Sequence, residues 1–375
     1  MIDQLRAYFA WAHLSEPADE VAKDLVRNLG AVEAWEWLVS GSQSAPHGVE
    51  DAAKLLSRVQ PWRARLDIPF AKLWDRWTRE GHRFITPIDP EWPFANSRAL
   101  ENPPFGIWFV GSEQIWDHMQ QTCALVGSRA ASRYGLQATA YLTSGIVEQG
   151  VTTISGGAFG IDVACHQTTV AEGGRTISVQ AGGLDRLYPE TNRELFEKIT
   201  VSGALISQIA PGGRPTRWRF LDRNRLIAAL ADATIVTEAA VRSGALNTAR
   251  HAFEMGHEVG AVPGPINLPY SVGSNNLLRD GAQCITTPED ILELLGNQIT
   301  ASAPKGFHST KQTLLDDLPE RESRVLDAFP KKKGTTLENL SRISAISPSE
   351  VQAALGMLEM AGKIARQGQL WMRKW

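Results

Sequence analysis

The chain has only three cysteines in 375 residues, no excess of basic charge, and no apolar run approaching the roughly 20 residues of a membrane-spanning helix. Each shortage excludes something. Cys123, Cys165 and Cys284 are odd in number and far apart, with no Cys-x-x-Cys, so neither a disulfide framework nor a zinc site is expected. All three stand in apolar or small-residue runs, where a buried thiol is the simpler expectation. The net charge of -3 does not advertise a nucleic-acid binder, although an average hides any local basic groove. The first twenty residues carry acids rather than a basic-then-apolar signal pattern, and the expected location is the cytoplasm, with no membrane partner. The eight histidines form no His-Glu-x-x-His, and no Gly-x-Ser-x-Gly elbow occurs, so no catalytic or metal-ligating set is expected.

What is present is a soluble globular composition, 43% hydrophobic and 21% charged, on a chain long enough for two or three compact units. Residues 1–80 read as a helical domain of the helix-hairpin type. Apolar residues recur at helical spacing through Val21, Leu25, Leu29, Val32 and Trp35, and again through Leu66, Phe70, Leu73, Trp74 and Trp77. Tryptophans in such a pattern read as packing residues before stacking platforms. From residue 81 to 298 the grammar changes. Short β-branched runs at 124–126, 152–154, 176–179, 204–207, 233–237 and 257–262 alternate with helical stretches, which predicts a parallel, Rossmann-like sheet covered on both faces. Residues 299–312 read as a linker. Residues 313–375 show three short helical patterns, then an alternating hairpin around Gln367-Gly368, the order of a winged helix.

A parallel sheet binds ligands beyond the carboxyl ends of its strands, so the turns there are the candidate sites. After the run 124–126 comes Gly127-Ser128-Arg129-Ala130-Ala131-Ser132-Arg133-Tyr134-Gly135. Glycine allows close backbone approach to an anion, the following helix start offers free amides, and Arg129 adds a forked cation suited to phosphate. The next turn, Ser155 to Asp162, repeats the arrangement with Gly156 and Gly157, but lacks the Gly-x-Gly-x-x-Gly fingerprint, so no redox cofactor is expected. Asp162 and His166 stand one helical turn apart, and a structural role for them is preferred over an acid–base pair. Glu238, directly after a strand, is likewise read as structural. A third turn, residues 239–248, contains Ser243 and Gly244 at another helix start.

The stretch from Arg214 to Arg225 carries five arginines and one acid, interleaved with Trp218 and Phe220. Cations that follow phosphates beside rings that stack on bases are what single-strand binding requires. The helix here is expected to begin near Arg223, which leaves Arg214, Arg217 and Arg219 in the loop before it, at the ligand edge.

Taken in order, GSRAASRYG, SGGAFGID, RFLDRNRLIAAL and SGALNTA resemble the motif series of the DprA/Smf DNA-processing family over residues 81–296. The resemblance implies an extended Rossmann-like domain that binds single-stranded DNA without catalysis or cofactor. It also implies loading of the RecA recombinase in natural transformation, and homodimerisation through this domain. Carried over by position, Gly127, Ser128 and Arg129 match the phosphate-binding turn. Arg217 stands where the family usually has lysine, Phe220 matches the stacking aromatic, and Asn224 and Arg225 fall in the Arg-Asn-Arg run. The expected DNA-binding set is Gly127, Ser128, Arg129, Ser132, Tyr134, Gly156, Gly157, Arg217, Arg219, Phe220, Arg223, Asn224, Arg225, Ser243 and Gly244. The rival reading is a nucleotide-binding or nucleotide-hydrolysing protein of the related LOG group. It is disfavoured because Arg242 to Thr248 lacks that group's Pro-Gly-Gly-x-Gly-Thr pattern and the glutamate that follows it. The C-terminal unit has a basic tail, with Lys363, Arg366, Arg373 and Lys374, and a basic loop at Lys331–Lys333. Its helix 347–361 contains Glu350 and Glu359 and no basic residue, so contact with duplex DNA and contact with a protein both stay open.

Overall fold

The computed structural model describes residues 2–49, 51–94 and 102–296, and in the C-terminal part residues 322, 325, 326, 328–330, 334–344, 346–360, 363–368 and 370–373. The expected linker 299–312 and the basic loop Lys331–Lys333 lie outside the described residues. The chain divides after Pro304 into two compact units.

The first unit opens with five helices: α1 (Gln4–Leu14), α2 (Glu20–Leu29), α3 (Ala31–Val39), α4 (Ala52–Arg63) and α5 (Phe70–Arg79). Asp3, Asp19 and Asp51 start α1, α2 and α4 by accepting from a backbone amide of the first turn. The tryptophans here pack rather than present their faces. Trp11 and Trp62 are buried edge to face with centroids 5.5 Å apart, and Trp77 is buried as well. Phe9 of α1 lies 5.2 Å from Trp108 and 5.5 Å from Phe84, so the helices share a core with the first strands of the sheet.

That sheet has nine strands: β1 (Arg83–Ile85), β2 (Ile107–Gly111), β3 (Thr122–Gly127), β4 (Thr152–Ser155), β5 (Thr176–Val179), β6 (Ala204–Ser207), β7 (Ala233–Glu238), β8 (Glu258–Ala261) and β9 (Gln283–Cys284). Their order is β1-β2-β6-β5-β4-β3-β7-β8-β9. The six expected runs are all strands and mutually parallel. Three strands lie beyond the expected series. Both β1 and β2 pair antiparallel at one edge, and β9 extends the parallel series at the other. Between the strands run α6 (Arg133–Glu148), α7 (Ile161–Ala171), α8 (Arg193–Ser202), α9 (Arg217–Leu230) and α10 (Gly244–Glu254), with α11 (Val272–Arg279) and α12 (Pro288–Leu294) after β8 and β9.

Register decides which residues face which layer. Ala124, Ile154, Ile177 and Ala204 are paired in line and pack with Leu226 and Ile227 of α9 and Ala249 of α10. Cys123 and Leu125 point to the other face, onto Leu142 of α6, Cys165 of α7 and Ile291 of α12. Burial pushes the Cys165 thiol up to about 12, which makes it inert at neutral pH. Cys284 departs from the expectation of a buried thiol. It is exposed because β9 is a two-residue strand at the sheet edge, paired on one side by β8.

The second unit contains α13 (Leu337–Ser344), α14 (Pro348–Met360) and the antiparallel hairpin β10 (Ile364–Gln367) and β11 (Leu370–Arg373). Ser347 starts α14 by accepting from the Glu350 amide at 3.4 Å. Thr335 bridges to Trp371, which ties the wing to the segment before α13. Leu340, Val351, Leu355, Leu358, Ile364 and Trp371 share a core. Two of the three expected helices and the expected hairpin are described, and the first expected helix, 320–329, lies largely outside the described residues.

Candidate nucleic-acid interface

The chain runs from β3 through β4 and β5 to β6, then returns through α9 to β7 on the opposite flank of β3. The carboxyl ends of β3 and β7 are therefore a topological switch point, where adjacent loops diverge and leave a crevice. A cleft of about 770 Å³ occupies it, bounded by the turns after β3 and β7 and by the first turns of α9.

The two turns are bolted to each other. The Ser128 amide donates to the Glu238 carbonyl at 2.7 Å. A side chain at Gly127 would stand 2.5 Å from Ile161 Cγ1 and 2.8 Å from the same carbonyl, so only glycine lets the strand ends meet. Ser132 caps α6 by accepting from the Gly135 amide, while its own amide and hydroxyl donate to the buried Glu238 carboxylate at 2.7 and 2.5 Å. Glu238 is thus structural, as expected, and Ser132 faces it rather than the cleft.

The expected start of α9 near Arg223 is corrected: the helix begins at Arg217, after Thr216, whose hydroxyl accepts from the Arg219 amide at 3.3 Å. The arginine–aromatic segment is consequently helical, and successive side chains fan out by about 100°. Arg217, Phe220, Leu221 and Asn224 line the cleft. Arg219 points elsewhere and grips Glu16 with Nε and Nη2 at 3.0 and 2.8 Å. Arg225 donates to the Asn102 carbonyl at 2.9 Å and sits 3.8 Å from Asp222. Trp218 is 77% exposed.

Arg223 forms the floor. Its buried guanidinium donates to the carbonyls of Gly156 at 2.6 Å and Val179 at 2.5 Å, tying α9 to the ends of β4 and β5. Burial lowers its pKa to about 10, a shift opposed by the Asp162 carboxylate, and it stays charged at neutral pH. Asp162 is held in turn by the amides of Gly156 at 3.2 Å and Ala158 at 3.4 Å. Burial raises its pKa while Arg223 and those amides oppose the rise. His166 goes to a different partner, the Thr176 hydroxyl at 2.7 Å, and burial pushes it down to about 3. The two therefore engage different partners rather than each other, and Asp162 also lines the cleft.

Above the floor stands Phe220, with the Arg129 guanidinium 5.0 Å and the Arg223 guanidinium 5.7 Å from its ring centroid. Tyr188 meets the same ring edge to face at 5.5 Å. Arg129, Arg217 and Arg242 are exposed at the mouth. The salt bridges nearby engage other arginines, Arg219 and Arg225.

Of the expected set, the fold brings together Gly127, Ser128, Arg129, Arg217, Phe220, Arg223, Asn224, Ser243 and Gly244. Six expected residues lie off the cleft surface. They are Ser132, Arg219 and Arg225, placed above; Tyr134, whose hydroxyl donates to the Pro263 carbonyl at 2.7 Å; Gly156, packed behind Arg223; and Gly157, packed on Phe196. Arg242, Tyr188 and Thr216 line the cleft without having been expected there. Arg242 had a legible signal, an arginine just past a strand end, as at Arg129. Tyr188 had only its place after a parallel strand.

Comparison with known proteins agrees with this architecture. The model of the family described as DNA recombination-mediator protein A matches residues 83–296, and that of the DprA winged helix domain matches residues 309–369. A putative DNA processing protein DprA of Mycobacterium tuberculosis is 37% identical over 368 residues, which covers 94% of this chain and 91% of that protein. Protein Smf of Synechocystis is 28% identical over the whole of both chains. The X-ray structure of DprA from Streptococcus pneumoniae is similar with a TM-score of 0.58 at 29% identity, covering 73% of this chain and 95% of that one. DprA from Helicobacter pylori, solved for its single-stranded DNA binding mode, gives 0.51 at 28% identity, covering 57% and 95%. With two family models matched in sequence order, and relatives aligned from end to end, the chain belongs to the DNA recombination-mediator protein A family, the DprA/Smf proteins.

Proposed function

We propose that the switch-point cleft binds single-stranded DNA, with Arg129, Arg217 and Arg242 taking phosphates and Phe220 stacking on a base. In this reading the protein acts without catalysis as a recombination mediator that delivers the strand to the RecA recombinase, working as a homodimer through the Rossmann-like domain. The observation that carries it is the Phe220 ring at the mouth of a cleft, flanked by guanidiniums at 5.0 and 5.7 Å. A ring offers a face to any base, and exposed arginines around it draw in the backbone, which suits sequence-tolerant single-strand binding. The structure of the Helicobacter pylori relative is described by its single-stranded DNA binding mode, which supports the same ligand here. Nucleotide hydrolysis is less well supported. The carboxylate at the β7 end, Glu238, has both oxygens engaged by Ser132.

The test is fluorescence anisotropy with labelled oligothymidylate and a matched duplex across a salt series. Arg129→Ala and Arg217→Ala should each weaken single-strand binding and lower the logarithmic salt slope by about 0.7, the contribution of one phosphate contact. Equal affinity for duplex and single strand, or binding untouched by both substitutions, would overturn the reading.

A further inference from the structure

Phe159 occupies the turn between β4 and α7 and is 45% exposed. A single exposed ring is ordinary on a protein surface. This one is held in place from both sides. The residue before it, Ala158, is buried, lines the cleft, and donates its amide to Asp162. The residue after it, Gly160, has φ +78, and a side chain there would stand 2.2 Å from the Ser128 carbonyl oxygen and 2.8 Å from that of Arg129. Next in line, the Ile161 amide donates to the Ser128 carbonyl at 3.2 Å. The turn that presents Phe159 is therefore packed directly on the backbone of the arginine that flanks Phe220. Gly157 and Gly160 both take positive φ, which fixes the backbone of this tight turn.

The layers give the direction. Phe220 belongs to α9, on the face of the sheet that buries Ala124 and Ile154, whereas α7 covers the opposite face through Cys165. The carboxyl edge of the sheet, with Arg129 on the turn after β3, thus lies between Phe220 and the turn that carries Phe159. We propose that Phe159 is a second base-stacking platform, and that the bound strand runs from Phe220 over Arg129 to Phe159. The proposal rests on the single-strand reading of the cleft. It assigns a binding role to a further residue of this turn, and it makes the site longer than the cleft itself.

The experiment uses the full-length protein, two oligothymidylates of about three and about twelve nucleotides, and the variants Phe159→Ala, Phe159→Trp and Phe220→Ala. Circular dichroism melts confirm that each variant is folded. Phe159→Ala should weaken binding of the long oligomer about five-fold or more, the low end of what a stacked base contributes, and leave the short one unchanged. Phe159→Trp, which retains a stacking face, should restore it. Native affinity of Phe159→Ala for both lengths overturns the proposal. So does an equal loss at both lengths, because the side chain then acts only through the geometry of the cleft. If Phe220→Ala binds both oligomers as the native protein does, it is the cleft reading that fails, independently of Phe159.

Discussion

Arg223 and Gly156 fit each other as a donor and its socket: Nη1 of the arginine donates to the glycine carbonyl at 2.6 Å, and a methyl group on Gly156 would stand 2.5 Å from that nitrogen. The glycine at this turn makes room for a buried arginine. Gly156→Ala should therefore push Arg223 off the Gly156 and Val179 carbonyls, lower stability by about 1–3 kcal/mol, and weaken single-strand binding indirectly by loosening Phe220. Urea melts of Gly156→Ala, Arg223→Ala and the double variant provide the check. Because one clash joins the two sites, the double variant should lose clearly less than the sum of the single ones. Additive losses would mean that the two residues are not coupled in this way.

Arg219 stands two residues from Arg217 and about 200° around the helix, gripping Glu16 of the N-terminal helices. Its removal should leave single-strand affinity and salt slope at native values. The partners are 21% and 52% exposed, so screening limits the stability loss to about 1 kcal/mol or less. Arg217→Ala should do the reverse, weakening binding with no change in melting. Anisotropy titrations and melts of the two variants side by side separate them, and a binding defect in Arg219→Ala would contradict the assignment.

His166 makes stability depend on pH. Burial holds it near 3, whereas the unfolded side chain titrates near 6.5. Above pH 6.5 neither state is protonated there and the residue adds no pH dependence. As pH falls from about 6.5 toward 3, the unfolded chain takes up a proton that the folded state refuses, and stability declines. At about pH 5 the loss amounts to about 2 kcal/mol, at about 1.4 kcal/mol per pH unit. His13, half-buried and held near 4 by desolvation, acts in the same direction between about 6.5 and 4. Replacing His166 by glutamine should flatten the decline between pH 7.5 and 5 by about this amount in denaturant melts. An unchanged acid limb would show that the folded protein protonates His166 as readily as the unfolded chain does.

The parallel core was legible because its strands are β-branched runs separated by helical periods, and the sheet's edges were not. Residues 83–111 contain Pro87, Pro90, Pro93, Pro103 and Pro104 and no intervening helical pattern, so β1 and β2 carry no alternating signature. The glycine turns after β3 and β4 were legible as backbone features, but their purposes differ: Gly127 lets β3 meet β7, and Gly156 makes room for Arg223. The start of α9 mattered most. With Pro215-Thr216 read as loop, Arg217, Arg219, Arg223 and Arg225 are all expected at the ligand. Once Thr216 caps the helix, its periodicity sends Arg217 into the cleft, Arg223 beneath it, and Arg219 and Arg225 away from it. A six-residue error at one helix end is invisible in composition, yet it takes Arg219 and Arg225, two of the segment's four arginines expected to bind, off the cleft.

Arg242 tests whether the switch point itself, rather than the α9 segment alone, holds the ligand. It is exposed on the turn after β7, next to Ser243, which caps α10 by accepting from the Ala245 amide at 3.3 Å. The β3 turn that carries Arg129 is joined to the end of β7 through the Ser128–Glu238 bond. Two arginines, on turns whose chains leave the adjacent parallel strands in opposite directions, thus line the same cleft. A strand seated between them should contact both, so Arg242→Ala should reduce single-strand affinity to the same extent as Arg129→Ala, and each should lower the salt slope by about 0.7. Arg242→Lys keeps the charge but loses the fork, and should recover the slope while regaining only part of the affinity. Titrations at three salt concentrations measure both quantities. A native slope in Arg242→Ala would restrict the phosphate path to the β3 and α9 side and remove the switch point from the binding surface.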